Sequence, residues 1–344
     1  MQLGISSFAE MSPSTDHRGQ RSHIRMMELM EEIELADRLG LDVYAIGEHH
    51  RPDFIASSPA TILAAAAVKT KNIRLSSAVT VLGSDDPVRV FQQFATVDLL
   101  SNGRAEIMAG RGSFIESFPL FGYDLNDYDE LFSEKLDLLI QLNQSERVHW
   151  KGRLRPSLTG QGVFPRPLQN PLPIWIAVGG TPASVVRAAK LGLPLAVAII
   201  GGALDQFVPL IDLYKRTWID SGHDINKLEL SIHCHTYIAD TDQQAADEFY
   251  PSYAEVMSRL GRERGWGPMN RAGYEQMRTP RGSLFVGSVE AVANKIKYMK
   301  SLFHQTRFLA HMPVGPMPHD LVMRSIELYA TQVAPIIRSD INSH

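Results

Sequence analysis

The sequence has very little cysteine. Cys234 is the single cysteine among 344 residues, and one thiol can form neither an intrachain disulfide nor a cysteine-rich metal site. A chain without disulfides fits a reducing compartment, so we expect a cytoplasmic protein.

An excess of one charge and long apolar runs are also lacking. The chain carries 34 Lys and Arg against 38 Asp and Glu, a formal net charge of -4. No basic stripe or RNA-binding motif occurs, so we expect no nucleic-acid partner. No run approaches the roughly 18 apolar residues that span a bilayer, and the N-terminus lacks a basic start followed by an apolar core. We therefore expect no membrane partner.

Short apolar runs are abundant, and segments with helical periodicity separate them. In chain order the runs are QLGI, VYAI, IRLSSAVTVL, AEIMAG, IWIAVG, LPLAVAII, ELSIHCHTYIA and RFLAHMPV. In RMMELMEEIELADRLG, Met26, Met30 and Ile33 recur at three- and four-residue spacing, which predicts a helix with one buried face. Gly40 is expected to end that helix, and Ser288 is expected to cap a later one.

The alternation of runs predicts the fold class. A strand followed by a helix, repeated eight times, indicates parallel strands joined by right-handed crossovers. Eight such units close into a (β/α)8 TIM barrel, which we expect as a single domain over residues 1–344. A doubly wound open sheet uses the same units and is the alternative.

Two longer spacers interrupt the alternation, at residues 147–171 and at about 252–282. Long loops inside compact domains are uncommon and often functional, so the second spacer is a candidate lid over an active site. The alternative is a surface excursion without a role in function.

The stretch VYAIGEHHRPDF ends an apolar run with ionisable side chains. In a barrel these residues lie at the carboxyl end of a strand, where this fold places its chemistry. Glu48, His49 and His50 are therefore candidate catalytic residues, because an imidazole held by an acid can exchange a proton near neutral pH. Ordinary loop histidines are the alternative. We predict no metal site, because adjacent residues of an extended strand point in opposite directions and no third ligand is identifiable.

Two glycine-containing turns predict a site for an anion. Gly110 and Gly112 flank Arg111 at the end of the fourth run, where glycine allows close approach and arginine offers a planar fork of donors. By itself this GRG pattern is a weak signal.

The second turn follows the fifth run. Gly179, Gly180 and Thr181 precede a helix that opens with Pro182 and has Ser184 in its first turn, which describes a helix N-terminus with free N–H groups. The alternative is a capped helix with no ligand. Because the two turns follow neighbouring strands, we expect them to converge on one phosphate.

These motifs, in this order, resemble those of the bacterial luciferase-like flavin-dependent monooxygenases. The resemblance rests on MQLGI, IGEHH, SSAVTVLGSDDPVRVFQQFATVDLLSNGRAEIMAGRG, FGYDLNDYDELFSEKL, GGTPASVVRAAKLGLPLAV, FVGSVEAVANKI and VMRSIELYATQVAPII, and it covers nearly the whole chain. It also resembles a subgroup that carries EHHRPDF and AGRGSFIESFPLFGYD. The resemblance implies FMN, in its reduced form, in the barrel mouth.

The resemblance also implies roles for individual residues. Ala78 and Val79 match a cis peptide that passes beneath the flavin ring. Arg111, Thr181 and Ser184 match contacts to the flavin phosphate. His49, the first histidine of EHH, matches a catalytic base near the flavin.

Two positions depart from the family pattern. Gly110 stands where luciferase has a reactive cysteine, which excludes thiol chemistry and suggests more room near the ring. Asp129 stands where the family has a second phosphate arginine, and Arg187 or Arg281 could compensate.

The reaction implied is oxygenation of a small organic substrate by reduced FMN and O2, with a separate flavin reductase as partner. One alternative is a hydride-transfer oxidoreductase that uses FMN or the deazaflavin F420. Another is a barrel that binds flavin without turnover. The resemblance also implies a homodimer. We interpret four further histidines as core or surface residues: His233, His235, His311 and His319.

Overall fold

A computed structural model describes residues 1–11, 17–112 and 114–341. Its centre is a closed barrel of eight parallel strands, which confirms the predicted (β/α)8 fold and excludes the open sheet. The barrel strands are β1 (Gln2–Ser7), β2 (Val43–Ile46), β3 (Arg74–Ser77), β5 (Ala105–Gly110), β8 (Ile174–Val178), β9 (Leu195–Ala198), β10 (Leu230–Ile238) and β12 (Arg307–His311). The barrel closes because β10 pairs with both β9 and β12, and β12 pairs with β1.

Four short strands lie outside this ring. They are β4 (Thr80–Val81), β6 (Arg147–Trp150), β7 (Leu158–Gly162) and β11 (Phe285–Gly287). Strand β4 continues the third apolar run and pairs with the end of β5, and β11 pairs with the end of β10. The spacer at 147–171 contains the antiparallel pair of β6 and β7.

Helices surround the barrel. They are α1 (Arg18–Arg38), α2 (Pro59–Lys69), α3 (Pro87–Ser101), α4 (Ser117–Leu120), α5 (Tyr128–Gln144), α6 (Pro182–Lys190), α7 (Val208–Asp220), α8 (Asp242–Arg264), α9 (Arg271–Arg278), α10 (Val289–Phe303), α11 (His319–Leu328) and α12 (Ala334–Ile341). Among the residues described, none of these helices is long and apolar enough to cross a membrane.

Helix ends follow the local sequence. The carboxylate of Asp86 accepts bonds from the first N–H groups of α3, and Pro87 opens that helix. The hydroxyl of Ser288 caps α10 as predicted, through the N–H of Ala291. Gly40, just beyond α1, has the positive φ of 78° that a helix stop requires.

The strand register arranges the barrel interior in layers. Glu106 and Arg307 lie at the amino end, where the guanidinium donates to the carboxylate over 2.7 and 3.0 Å and stacks on Trp175. Above them Met108 and Leu309, two residues further along each strand, belong to one buried apolar cluster. The next residues along these two strands that face inward lie at the carboxyl end of the barrel.

The candidate lid at 252–282 is mostly helical, so the prediction of a long loop there is wrong. Its first part continues α8 and its last part contains α9, with a short connection at 265–270. The apolar residues on α8 that face inward, such as Phe249, Tyr253 and Met257, recur at three- and four-residue spacing and pack in a buried cluster. This segment therefore packs through the cluster against the ends of β10 and β11, since Tyr237 and Val286 belong to the same cluster.

Candidate functional site

The carboxyl ends of the barrel strands bring the predicted site residues to one end of the molecule. We call this end the barrel mouth; it is formed where β1, β2, β5, β8 and β12 end. The loops that follow β2, β3 and β5 contact each other there. For example, the N–H of Glu48 donates to the carbonyl of Val79 over 3.1 Å.

Glu48 holds His50, and it does not hold His49. Its Oε1 lies 2.8 Å from His50 Nε2, and its Oε2 accepts the N–H of Val81 over 2.9 Å. Because the two histidines are adjacent on extended backbone, their rings point in opposite directions. The expectation that an acid holds the catalytic imidazole therefore applies to His50, whose ring also contacts Phe121.

His49 lies among aromatic rings. The ring centroids of Phe8, Phe54 and Phe114 are 4.5, 4.3 and 5.2 Å from its own. Its Nε2 is buried and has no hydrogen-bond partner among the described residues. Burial, followed by the nearby His311, lowers the pKa of His49 to about 3. The imidazole is therefore neutral at physiological pH.

The peptide bond between Ala78 and Val79 is cis, as the resemblance implied. The side chain of Val79 then lies against Gly110: a Cβ at position 110 would be 2.8 Å from both γ-carbons of the valine. The expectation of extra room at Gly110 is therefore wrong, because the valine fills the space of the missing side chain.

Arg111 and Thr181 lie together, as their neighbouring strands β5 and β8 predicted. Arg111 Nη2 is 3.4 Å from the hydroxyl of Thr181, and its guanidinium lies over the ring of Tyr128. The second nitrogen, Nη1, forms an ion pair with Asp129. The departure at position 129 therefore places a carboxylate on the arginine that the family pattern assigns to the phosphate.

The turn after β8 leaves open space in front of α6. A Cβ on Gly179 or on Gly180 would meet no heavy atom within 4 Å among the described residues. Thr181 is the N-cap of α6, but its side chain makes no capping bond within the described chain. Ser184 is buried in the first turn. The threonine hydroxyl is thus directed to Arg111 and not to the helix.

Arg187, and not Arg281, is the second cation near this turn. Burial and then the charge of Arg111 lower the pKa of Arg187, while Asp129 raises it, which places all three groups within electrostatic reach. Its Nη1 is buried without a hydrogen-bond partner in the described residues. Arg281 lies elsewhere, 3.9 Å from Asp205.

Two histidines that we interpreted as core or surface residues lie at the barrel mouth. His311 ends β12 and His235 lies opposite it on β10, and each has a buried ring nitrogen with no partner among the described residues. His233 contacts Ser231, as expected for a core residue with a hydrogen-bond partner. His319 contacts Glu31, as expected for a residue near the surface. The rule that site residues follow strand ends would have found His311.

An ion-pair network covers part of the mouth. Arg51 contacts Glu116 on the loop after β5 over 2.9 Å and Glu263 near the end of α8 over 2.5 Å. Arg259 of the same helix contacts Asp53 over 2.8 Å. We call these five residues the mouth clasp. The clasp joins the loops after β2 and β5 to α8.

The described residues contain no group of three or more His, Cys, Asp or Glu side chains arranged to hold a metal ion.

Residues 1–306 match the family model of luciferase-like monooxygenases. The chain belongs to this family. Among relatives, the oxygenase component of the flavin-dependent trigonelline monooxygenase of Acinetobacter baylyi is 28% identical over 251 residues, covering 71% of this chain and 67% of that protein.

Two solved structures show the same fold. The monooxygenase RslO1 from Streptomyces bottropensis superposes with a TM-score of 0.82 at 23% identity, over 97% of this chain and 99% of that one. An F420-dependent secondary alcohol dehydrogenase superposes with a TM-score of 0.76 at 17% identity, over 98% and 99%. The luciferase-like fold thus occurs in enzymes named for oxygenation and in enzymes named for F420.

Proposed function

We propose that this luciferase-like protein is the oxygenase component of a two-component system that uses reduced FMN and O2 to oxygenate a small organic substrate. The observation that carries the proposal is the contact of Arg111 with the hydroxyl of Thr181, which makes no capping bond, at the barrel mouth that also contains a neutral His49 in an aromatic enclosure. A separate flavin reductase would supply the reduced FMN.

The residues present fit the phosphate of FMN. Arg111 offers a guanidinium, Thr181 a hydroxyl, and the N-terminus of α6 a partial positive charge. Arg187 adds a second positive charge that partly offsets Asp129. Open space in front of Gly179 and Gly180 leaves room for the phosphate oxygens.

When bound in its reduced form, FMN supplies the electrons for the reaction of O2 with a substrate. The chain's own residues then bind and orient the flavin and the substrate, and they exclude water. His49 can present either an N–H or a lone pair at Nε2, according to its tautomer, because the ring is neutral and that nitrogen has no partner among the described residues. Glu48 fixes the loop after β2 through His50 and the N–H of Val81. Phe8, Phe54 and Phe114 keep water away from the imidazole.

A hydride-transfer oxidoreductase is the second candidate. The ion pair between Arg111 and Asp129 favours it, because it reduces the positive charge available to the FMN phosphate. In that case FMN or F420 would accept or donate hydride without O2. A non-catalytic flavin-binding barrel is less consistent with the site, since binding alone does not need a neutral, unpaired imidazole.

The proposal is tested by flavin binding and by reaction with oxygen. FMN fluorescence quenching is measured for the protein, for Arg111→Ala, and for Arg216→Ala as a control at an exposed arginine of α7. We expect Arg111→Ala to lower FMN affinity by about tenfold or more, because a charge-assisted bond to phosphate is lost. Unchanged affinity would remove Arg111 from the phosphate site.

Reduced FMN, bound anaerobically, is then mixed with oxygenated buffer in a stopped-flow absorbance experiment. A lag before oxidised FMN appears supports an oxygenase. Immediate reoxidation, at the rate of free reduced FMN, contradicts it and directs the next experiment to F420 and hydride acceptors. His49→Ala should keep FMN affinity and alter the lag, and identical traces for the two proteins would exclude proton control by His49.

A further inference from the structure

Four buried polar atoms at the barrel mouth lack hydrogen-bond partners among the described residues. They are Glu10 Oε2, His49 Nε2, His235 Nδ1 and His311 Nε2. A buried donor or acceptor that is left unpaired destabilises the structure that contains it. Four such atoms in one place therefore indicate a site that another molecule completes.

The strand register directs two of these groups, His235 and His311, to the same space as Ser6. His235 lies opposite His311, and His311 lies opposite Ser6, so all three are at one level of the barrel. They are on the inward face, because Leu309, two residues before His311, belongs to the apolar cluster of the interior. The Ser6 hydroxyl lies 3.1 Å from His311 Nδ1, which leaves His311 Nε2 for another partner.

Glu10 brings a carboxylate to this level. Its Oε1 is 3.8 Å from His311 Nε2, which is too long for a hydrogen bond, and the His235 and His311 ring centroids are 5.3 Å apart. Phe8 links this group to His49, since its ring lies 4.2 Å from that of His311 and 4.5 Å from that of His49. Phe8 thus contacts both His49 and His311.

The chemistry of the four groups restricts the ligand. Burial lowers the pKa of His49 and of His235 to about 3, so each is a neutral ring. A neutral ring nitrogen can donate or accept, depending on its tautomer, whereas an ionised Glu10 can only accept. A suitable ligand therefore needs at least one hydrogen-bond donor, and a second anion beside Glu10 would be repelled.

The surrounding walls are aromatic. Phe8 and Phe54 both contact the His49 ring, and Tyr253 of α8 lies 5.7 Å from the ring of His235. Phe114 lies over His49 and Phe54, and the Arg51 guanidinium stacks on Phe114 at 4.4 Å. Flat rings stack well on such walls.

We propose that Glu10, His235 and His311 form, with His49, a substrate subsite for the hydroxyl of a small, uncharged aromatic ring. The hydroxyl donates to Glu10 and accepts from an imidazole N–H, while the ring stacks against phenylalanine. An aliphatic aldehyde has no donor for the carboxylate, and a carboxylate substrate carries the wrong charge. The inference deepens the proposed function, because the ring would be the molecule oxygenated. The four atoms are closed to solvent, so the ring enters when the mouth clasp opens.

The test compares three one-ring probes: phenol, its methyl ether anisole, and benzoate. Saturation-transfer NMR gives their affinities for the full-length protein with and without FMN. We expect phenol to bind about tenfold more tightly than anisole, because only phenol donates a hydrogen bond to a charged acceptor, and we expect benzoate to bind least. Equal affinities for phenol and anisole, or no binding of any probe, would overturn the assignment.

Variants locate the subsite. Glu10→Gln should lower phenol affinity about tenfold and leave anisole within about twofold, while Glu146→Gln at an exposed position should change neither. A phenol preference that survives Glu10→Gln in a folded variant removes Glu10 from the subsite. If Glu10→Gln does not fold, His311→Asn provides the same comparison, and the preference of the unmodified protein stands as a test by itself.

FMN quenching on the same samples separates the two proposals. Phenol preference without FMN binding would contradict the proposed flavin chemistry and keep the binding subsite. FMN binding without phenol preference would contradict the subsite alone.

Discussion

At the scale of single residues, the charge on position 129 decides how strongly Arg111 can hold a phosphate. Arg111 is the donor that the turn after β5 offers to an anion, and Asp129 forms an ion pair with it. The Asp129 side chain is 72% exposed, so its carboxylate can move away when another anion takes its place. An exposed ion pair of this kind contributes little to stability.

Asp129→Asn should raise FMN affinity. The change removes a negative charge next to the proposed phosphate and releases Arg111, so we expect a gain of about three- to tenfold at low salt. Fluorescence quenching of FMN measures it, with Asp212→Asn at an exposed position of α7 as the control. An unchanged or weaker affinity for Asp129→Asn would show that the phosphate does not lie at this pair.

Gly110→Ala should destabilise the protein, because the new Cβ would lie 2.8 Å from the γ-carbons of Val79. Overpacking of this kind costs about 1–3 kcal/mol. Urea unfolding measures the loss, and Val79→Ala in the same chain should recover part of it. Gly201→Ala is the control, since no heavy atom of the described residues lies within 4 Å of a Cβ there. Additive losses in the double variant would contradict the contact.

At the scale of elements, α8 joins the barrel mouth from outside. Its inward face packs in an apolar cluster, while Arg259 and Glu263 near its end contact the loop after β2. Arg51 is central, because one guanidinium contacts acids on that loop, on the loop after β5 and on α8. Within the candidate lid at 252–282, the end of α8 is thus held at the barrel mouth by ion pairs.

Arg51→Ala should loosen the mouth without unfolding the barrel. Two contacts between separate elements and one within the loop after β2 are lost, and the ring of Phe114 loses the cation stacked on it. Hydrogen exchange should increase by about tenfold at 48–54, 112–117 and 259–264 and stay unchanged in the barrel strands.

Lys69→Ala is the matched control for this experiment. It removes an exposed ion pair with Glu34, away from the mouth clasp. If Arg51→Ala gives the exchange pattern of Lys69→Ala, the clasp does not hold these loops. Uniformly faster exchange in all elements would indicate global destabilisation instead.

At the scale of the whole molecule, closure of the barrel buries histidines that an unfolded chain exposes. The pKa values of His49 and His235 are both lowered to about 3, mainly by burial. In the unfolded chain a histidine titrates near about 6.5. Between these values the unfolded chain binds protons that the folded protein does not, so stability falls as the pH falls below about 6.5.

His235→Asn should weaken this pH dependence. One buried histidine of this kind lowers the free energy of unfolding by about 2 kcal/mol between pH 7 and pH 5, and above pH 7 the effect vanishes because the ring is neutral in both states. Urea unfolding at the two pH values, with His304→Asn at an exposed position as the control, measures the difference. A variant that loses as much stability as the unmodified protein on acidification would show that His235 takes up no extra proton on unfolding.

The sequence by itself determined the order of the eight barrel strands. All eight apolar runs became barrel strands, and the caps at Gly40 and Ser288 lie where local signals predicted them. The same rules brought Arg111 and Thr181 together, because consecutive parallel strands end side by side. Such features are encoded in short windows of sequence, through hydrophobic period and capping chemistry.

Tertiary structure alone decided which side chains meet across the mouth. Glu48 contacts His50 and not His49. Val79 fills the space at Gly110, and Asp129 pairs with Arg111. Each of these contacts depends on rotamers and on the path of loops after strands that are far apart in the chain. A periodic pattern fixes which face of a strand is buried, but only closure of the barrel fixes which buried group lies next to which.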